Sequence, residues 1–237
     1  MIRRVFSPNE LSALPRKGVE AQKIRALLRS YGTKYDFCRF YASENAVLCE
    51  IDGDFVICET GNAPDIEELA GCFTFGGFSE IFCSEELGVP LAERMRCYSQ
   101  RVNLMRFEGE PVPNTDDIEI SPLLDEVYNI LKTAFDIEYE PWYADMSHRI
   151  RHNVAKARKT DNSVLIIQHD INGEALLSQI ATLPEARGRG NASRLVKAVC
   201  AELSESEVFL LCEDALLPFY RRLGFKKAAV KLVLTRS

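Results

Sequence analysis

The stretch that most limits the folds open to this chain is an apolar run that breaks into a glycine-bearing turn and then into a helix. Leu176-Leu177-Ser178-Gln179-Ile180-Ala181-Thr182-Leu183 reads as a strand, Pro184 ends it, and Arg187-Gly188-Arg189-Gly190-Asn191-Ala192 follows. The helix beyond carries Leu195, Val196, Val199, Cys200 and Leu203, an i, i+1, i+4, i+5, i+8 pattern with one buried face. The turn is therefore anchored on a core helix. A strand–turn–helix of this kind presents a row of free backbone N–H groups and the positive end of a helix dipole, with no side chains to block close approach. A pyrophosphate group needs those features, and Arg187 and Arg189 add charge with which it can pair.

Spacing removes two common nucleotide sites. The chain has no Gly-x-x-x-x-Gly-Lys-Ser/Thr, so it is not a P-loop, and no Gly-x-Gly-x-x-Gly opens a dinucleotide fold. What stands here is Arg-x-x-Gly-x-Ala, from Arg187 through Gly190 to Ala192. About thirty residues on comes Pro218-Phe219-Tyr220-Arg221-Arg222-Leu223-Gly224-Phe225, with an apolar strand from Val208 to Cys212 between the two. In this pair of signatures the chain resembles the GNAT acyltransferases, over about residues 116–237. The resemblance implies an α/β (α+β) fold with a mixed central sheet, and acetyl-CoA as the cofactor. It implies that Arg187, Gly188, Arg189, Gly190, Asn191, Ala192 and Ser193 hold the pyrophosphate. The backbone of Ile180, Ala181 and Thr182 would pair with the pantetheine arm, and one N–H there would serve the developing oxyanion.

The same resemblance gives Tyr220 the role of general acid toward the departing thiolate, against the alternative of a packed core aromatic beside Phe219 and Leu223. Glu174, thirteen residues before Arg187, resembles the base in histone-type members. It also follows the turn Asn172-Gly173 and could be a solvated hairpin carboxylate. Glu213 stands where many members carry an asparagine, which makes Glu213 or Asp214 a rival base. Acceptor specificity in the family comes from two early helices, here around residues 138–149, and Trp142, Tyr143 and Asp145 are the candidate substrate-binding residues. Aromatic faces and carboxylates in one short loop suit a cation. Trp142 could equally anchor residues 1–110.

Composition sets the remaining limits. A net charge of −6 over 237 residues, mildly acidic in both halves, offers no general attraction to nucleic acid or anionic membrane. No apolar run approaches the ~20 residues of a spanning helix, and the first residues lack a signal-peptide core, so a cytoplasmic location is expected. Eight cysteines without a C-x-x-C pair, mostly in apolar runs, read as buried thiols in a reducing compartment. His148 and His152 have metal-ligand spacing, but no third ligand completes a set, and no metal is expected. The basic run Arg149–Lys159 reads as a solvated face.

Residues 1–110 read as a smaller α/β domain: helix Val19–Tyr31, strands Asp36–Ala42, Ala46–Ile51 and Asp54–Cys58, helix Pro64–Ala70, strand Glu80–Cys83, helix Pro90–Tyr98 and strand Val102–Phe107. This order echoes the later part of a GNAT domain, as a degenerate, cofactor-free half. A linker over Glu108–Thr115 leads to the second domain, 116–237. There a strand at Ile118–Ile120 is followed by a helix from Pro122 with Leu123 and Phe135 inward. A second helix spans about Ala144–Asn153, and strands follow at Ala155–Arg158 and Ser163–Gln168. Strands after Phe225 offer a route to a homodimer. The expected function is transfer of an acetyl group to a primary amine of a small molecule by direct attack in a ternary complex. The alternatives are a non-catalytic acyl-CoA sensor or scaffold, and N-acetylation of a peptide or protein.

Overall fold

Alternating burial along the strands sets the layers of this protein, whose computed structural model describes residues 1–112 and 117–236. The chain divides into two units, one of Met1–Leu104 with the chain from Ala229 onward, the other of Met105–Ala228.

In the first unit the elements are β1 (Arg3–Val5), α1 (Val19–Tyr31), β2 (Cys38–Ala42), β3 (Ala46–Ile51), β4 (Asp54–Glu59), α2 (Ile66–Gly76), β5 (Glu80–Ser84), α3 (Glu85–Met95) and the start of β6 (Tyr98–Phe107). Strands β1 to β4 pair antiparallel in sequence order, and β4 pairs parallel with β5. The β3–β4 turn is Asp52-Gly53, both at positive φ (49° and 90°), the conformation that a two-residue Asp-Gly hairpin demands. Two helices start where side chains cap them. Asp65 accepts from the Glu67 and Glu68 N–H groups at the head of α2, and the Ser84 hydroxyl accepts from Leu87 N–H at the head of α3. That cap moves the third helix: it runs Glu85–Met95, with Pro90 inside it, rather than starting at Pro90. Proline forgoes one backbone bond there, and the buried Leu87, Leu91 and Ala92 hold the helix against the unit's core. In the same way α2 outruns its expected end at Ala70, because Phe73 is buried and Gly77 (φ 80°) supplies the stop.

The second unit contains α4 (Leu124–Leu131), α5 (Tyr139–Arg151), β7 (Lys156–Lys159), β8 (Ser163–Ile171), β9 (Glu174–Thr182), α6 (Asn191–Glu202), β10 (Glu207–Cys212), α7 (Leu217–Arg222) and the start of β11 (Phe225–Thr235). Its strands follow the order β6-β10-β9-β8-β7, with β7, β8 and β9 antiparallel and β9–β10 parallel. The period-2 rule splits β8 cleanly. Leu165 and Ile167 face α6, where they pack with Leu195, Val196, Val199, Cys200 and Leu203. Val164 and Ile166 face the other way, onto Val127, Ile130 and Leu131 of α4 and Trp142 and Met146 of α5. Helices thus cover both faces of the strands that carry the site.

Several expectations need correction. Leu123 is exposed and caps α4 from outside, and Phe135 lies past its end, so neither is an inward helix residue. Residues 118–120 form no strand, only a bridge from Glu119 to Lys159. Tyr139 to Tyr143 make the first turn of α5 and are not a loop. Pro141 sits within that turn, where its missing N–H has no helical acceptor to lose. Of the expected linker, Pro113, Asn114 and Thr115 lie outside the described residues, as does Asp116. The two units divide inside β6 and β11, so only the part of the last strand from Ala229 onward counts with the first unit. β11 pairs antiparallel with β5 from Lys231 to Thr235 and has β6 as its other neighbour. With both neighbours in place β11 is an inner strand, not the edge strand expected after Phe225.

The β11 entry depends on two glycines. Gly224 has φ 98°, and a Cβ there would lie 2.6 Å from the Gly109 Cα. Replacing Gly224 with alanine is expected to cost about 2–4 kcal/mol, from left-handed strain plus overpacking. Denaturant unfolding of the variant measures this; an unchanged midpoint would show that the close approach of the two backbones is not needed.

Candidate functional site

The parallel ladder between β9 and β10 runs from Glu174↔Glu207 to Leu177↔Leu210 and stops there. Beyond it β9 continues to Thr182 while pairing only with β8, through Ser178, Ala181 and Thr182. Two register shifts mark this stretch. Gln179 and Ile180 together oppose the single residue Leu165 between the pairs Ser178↔Ile166 and Ala181↔Val164, a β-bulge. Gln179 takes a positive φ of 46°, rare for a residue with a Cβ. Its side-chain oxygen accepts the Trp142 indole N–H at 3.2 Å, so α5 holds the bulge in place. The second shift places Gln168 of β8 as the extra residue between Ile167 and His169. Backbone of Ser178–Thr182 on the β10 side is thereby released from the sheet, at Ile180, Ala181 and Thr182.

The bulged strand then enters the glycine turn. Gly188 (φ 76°) and Gly190 (φ 81°) both adopt left-handed backbone, and a Cβ on either would meet no atom within 4 Å. Gly190 is the N-cap of α6. No side chain caps that helix and no acidic residue lies in its first turn, which leaves its leading N–H donors without a cap. The turn is held from behind. Arg187 donates to the Thr182 carbonyl (3.1 Å) and the Thr133 carbonyl (3.3 Å), and Asn191 donates from its amide to the Ala186 carbonyl (3.0 Å).

A cleft of about 400 Å³ opens over this turn, lined by Thr182, Ala186, Arg187, Gly188, Gly190, Asn191, Ala192, Ser193, Phe219, Arg222 and Leu223. Of the expected cofactor residues, Ile180, Ala181 and Arg189 do not line it. Ala181 is buried under α4 and α5, and Ile180 packs against the α6 core. Phe219, Arg222 and Leu223 of α7 are the additions. Arg222 had a signal, because it belongs to the second signature and puts a cation beside a phosphate-sized cradle. Uncapped donors, left-handed glycines with open space before them and two lining guanidiniums fit a diphosphate.

A second, smaller cavity of about 160 Å³ lies on the α5 side of the bulge. Trp142, Asp145, Met146, Arg149, Ala155, Ile166, Gln168, Ser178 and Gln179 line it. Two expected acceptor residues, Trp142 and Asp145, are therefore here; Tyr143 is not, being 39% exposed and stacked beside Tyr139. Trp142 packs in the second unit's own core, with Val127, Met146 and Ile166. Both extra glutamines were missed, since nothing local marks Gln179 or Gln168 as a bulge.

Tyr220 is buried against Phe219 and Phe225, ring centroids 5.0 and 5.8 Å away, and like Glu174 it lines neither cavity. Burial pushes its phenol up to about 12, with the neighbouring Cys212 thiol adding in the same direction. Glu174 is buried, at 6% exposure, so it is not a solvated hairpin carboxylate. It begins β9, five residues and about 16 Å of extended chain from Gln179, and lines neither cavity. Glu213 and Asp214 follow the end of β10 on the surface and line neither cavity. His148 and His152 stack with centroids 4.4 Å apart; among the described residues no cluster of three or more His, Cys, Asp or Glu could hold a metal ion.

The second unit thus places a bulged strand, an uncapped helix N-terminus and a cavity on each side of the bulge in one arrangement. Residues 151–227 match the family model of the acetyltransferase (GNAT) domain. Solved structures agree in fold. A GCN5-related N-acetyltransferase from Kribbella flavida superposes with a TM-score of 0.65 at 15% identity, over 92% of this chain and 94% of that one. A GCN5-related N-acetyltransferase from Sphaerobacter thermophilus gives 0.60 at 15%, over 99% and 94%. A Drosophila protein gives 0.68 at 13%, over 99% and 98%. No protein of curated function matches the chain in sequence. Residues 151–227 therefore carry a GNAT acetyltransferase domain, and the solved structures share its fold over most of the chain.

Alanine at Gly190 is expected to weaken coenzyme A binding tenfold or more, about 1.4 kcal/mol, by calorimetry. Alanine at Gly173, whose φ of 77° is just as strained, should lose stability without losing coenzyme affinity. Equal losses of affinity in both variants would mean that the turn acts through folding alone.

Proposed function

We propose that this protein transfers the acetyl group of acetyl-CoA to a primary amine of a small molecule, by direct attack in a ternary complex. One observation carries this reading: the same bulged segment, Ser178–Thr182, borders both the diphosphate-sized cleft and the small cavity under α5. A donor held on the glycine turn and an acceptor held under α5 would meet at that segment. Proximity of this kind converts a two-molecule step into an oriented one.

Bound acetyl-CoA supplies an activated thioester carbonyl. The Gly188–Ser193 N–H groups, with Arg187 and Arg222, neutralise the diphosphate. Backbone N–H groups of Ile180 to Thr182, released from β10, stabilise the charge that develops on the carbonyl oxygen. As the C–N bond forms and the C–S bond breaks, Tyr220 gives its phenolic proton to the sulfur, and the amine proton leaves through Asp145 to solvent. All eight cysteines are free, which supports a reducing compartment such as the cytoplasm.

The first unit supports a tandem reading. It too has three antiparallel strands, a helix and a parallel strand, and its β4–β5 ladder also ends early, at Val56↔Phe82. Its α2, however, begins on Asp65 with Glu67 and Glu68 in the first turn. Three carboxylates occupy the place of the glycines and repel a diphosphate. We assign this unit as a cofactor-free copy of the fold, with one donor site per chain.

Tyr220→Phe should lower kcat about a hundredfold and leave the KM for acetyl-CoA within about threefold. Because the phenol titrates near 12, its acid form persists through about pH 6–9, and Tyr220 contributes no alkaline limb there. Thiol release from acetyl-CoA reads both, and a kcat within a few-fold of wild type would remove Tyr220 from the proton path.

A further inference from the structure

The small cavity carries an opposed pair of charges, and this narrows the acceptor. Asp145 and Arg149 stand one turn apart on α5, with Arg149 Nε donating to the Asp145 carboxylate at 2.8 Å. The Arg149 side chain is only 11% exposed. Its Nε donates to Asp145, and both residues line the cavity. Gln168, the extra residue of β8, and the bulge residue Gln179, whose side-chain oxygen accepts from Trp142, line it too. The remaining wall is apolar, from Trp142, Met146 and Ile166.

We propose that the acceptor is a small α-amino acid with an apolar side chain; this rests on the acetyl-transfer reading of the same site. The substrate ammonium takes Asp145 and the substrate carboxylate takes Arg149. The side chain lies against Trp142, Met146 and Ile166. The two protein charges are adjacent, so they match an ammonium and a carboxylate borne on one carbon, as in an α-amino acid, and not charges at the ends of a long chain. A zwitterion adds no net charge to a cavity that is already neutral as a pair. A plain amine or a polyamine brings an unbalanced cation toward Arg149, where like charges in a desolvated site repel.

The test compares leucine, methionine and valine with their decarboxylated amines and their amides, by thiol release from acetyl-CoA in the full chain. The best amino acid should exceed its decarboxylated partner at least tenfold in kcat/KM. Arg149→Gln should raise the KM for the amino acid ten- to a hundredfold while the decarboxylated amine is affected less than threefold. Arg149→Lys should recover part of the difference, and thermal unfolding of both variants reports whether the fold is intact. Amines or amides used as well as the acids would overturn the assignment, as would an Arg149→Gln loss that strikes both classes alike. If every acceptor is silent while acetyl-CoA still binds by calorimetry, the transfer reading itself fails. If amines turn over without preference, only the amino-acid assignment fails.

Discussion

Everything at the site follows from β9 leaving β10 after four residues of parallel pairing. A strand that stayed in register would bury its N–H and C=O groups in the ladder and leave nothing for a ligand. Here the bulge at Gln179–Ile180 adds a residue, turns the strand and frees one side of it. Positive φ at a glutamine costs of order 1 kcal/mol or more, and the surrounding contacts must hold it. Trp142 does so by its indole hydrogen bond and by packing with Met146 and Ile166, so α5 and the strained strand hold each other in place. At the strand's end Pro184, Gly188 and Gly190 convert released backbone into a helix N-terminus without a side-chain cap.

The helix that follows makes this economical. α6 buries Leu195, Val196, Val199 and Cys200 under β8 and β9, each worth roughly 1.5–3 kcal/mol for the larger aliphatic side chains. That core holds the turn rigid while its donors remain available. The hydrophobic contacts therefore keep an arrangement that, without a ligand, has unmet hydrogen-bonding capacity.

How much was legible in the sequence divides along one physical line. Features set by a residue's own backbone preference were readable: the Asp52-Gly53 and Asn172-Gly173 turns, the Val19–Tyr31 helix between Gly18 and Gly32, and the Arg187–Ala192 loop. Features set by pairing partners far along the chain were not. Gln179 has no local reason to take φ 46°, β11 gives no sign that β5 is its neighbour, and Arg149 becomes a cavity residue only because α5 begins at Tyr139. Glu174 shows what spacing alone leaves open: its distance in sequence from the loop places it at the start of β9, at the far end of the strand from the bulge.

A crystal structure of the protein with acetyl-CoA tests the central claim most directly. The account predicts the diphosphate on the N–H groups of Gly188 to Ser193 beside Arg222, with the thioester carbonyl against the released backbone of Ile180 to Thr182. A diphosphate bound elsewhere, or a β9–β10 ladder zipped closed past Leu177, would contradict it.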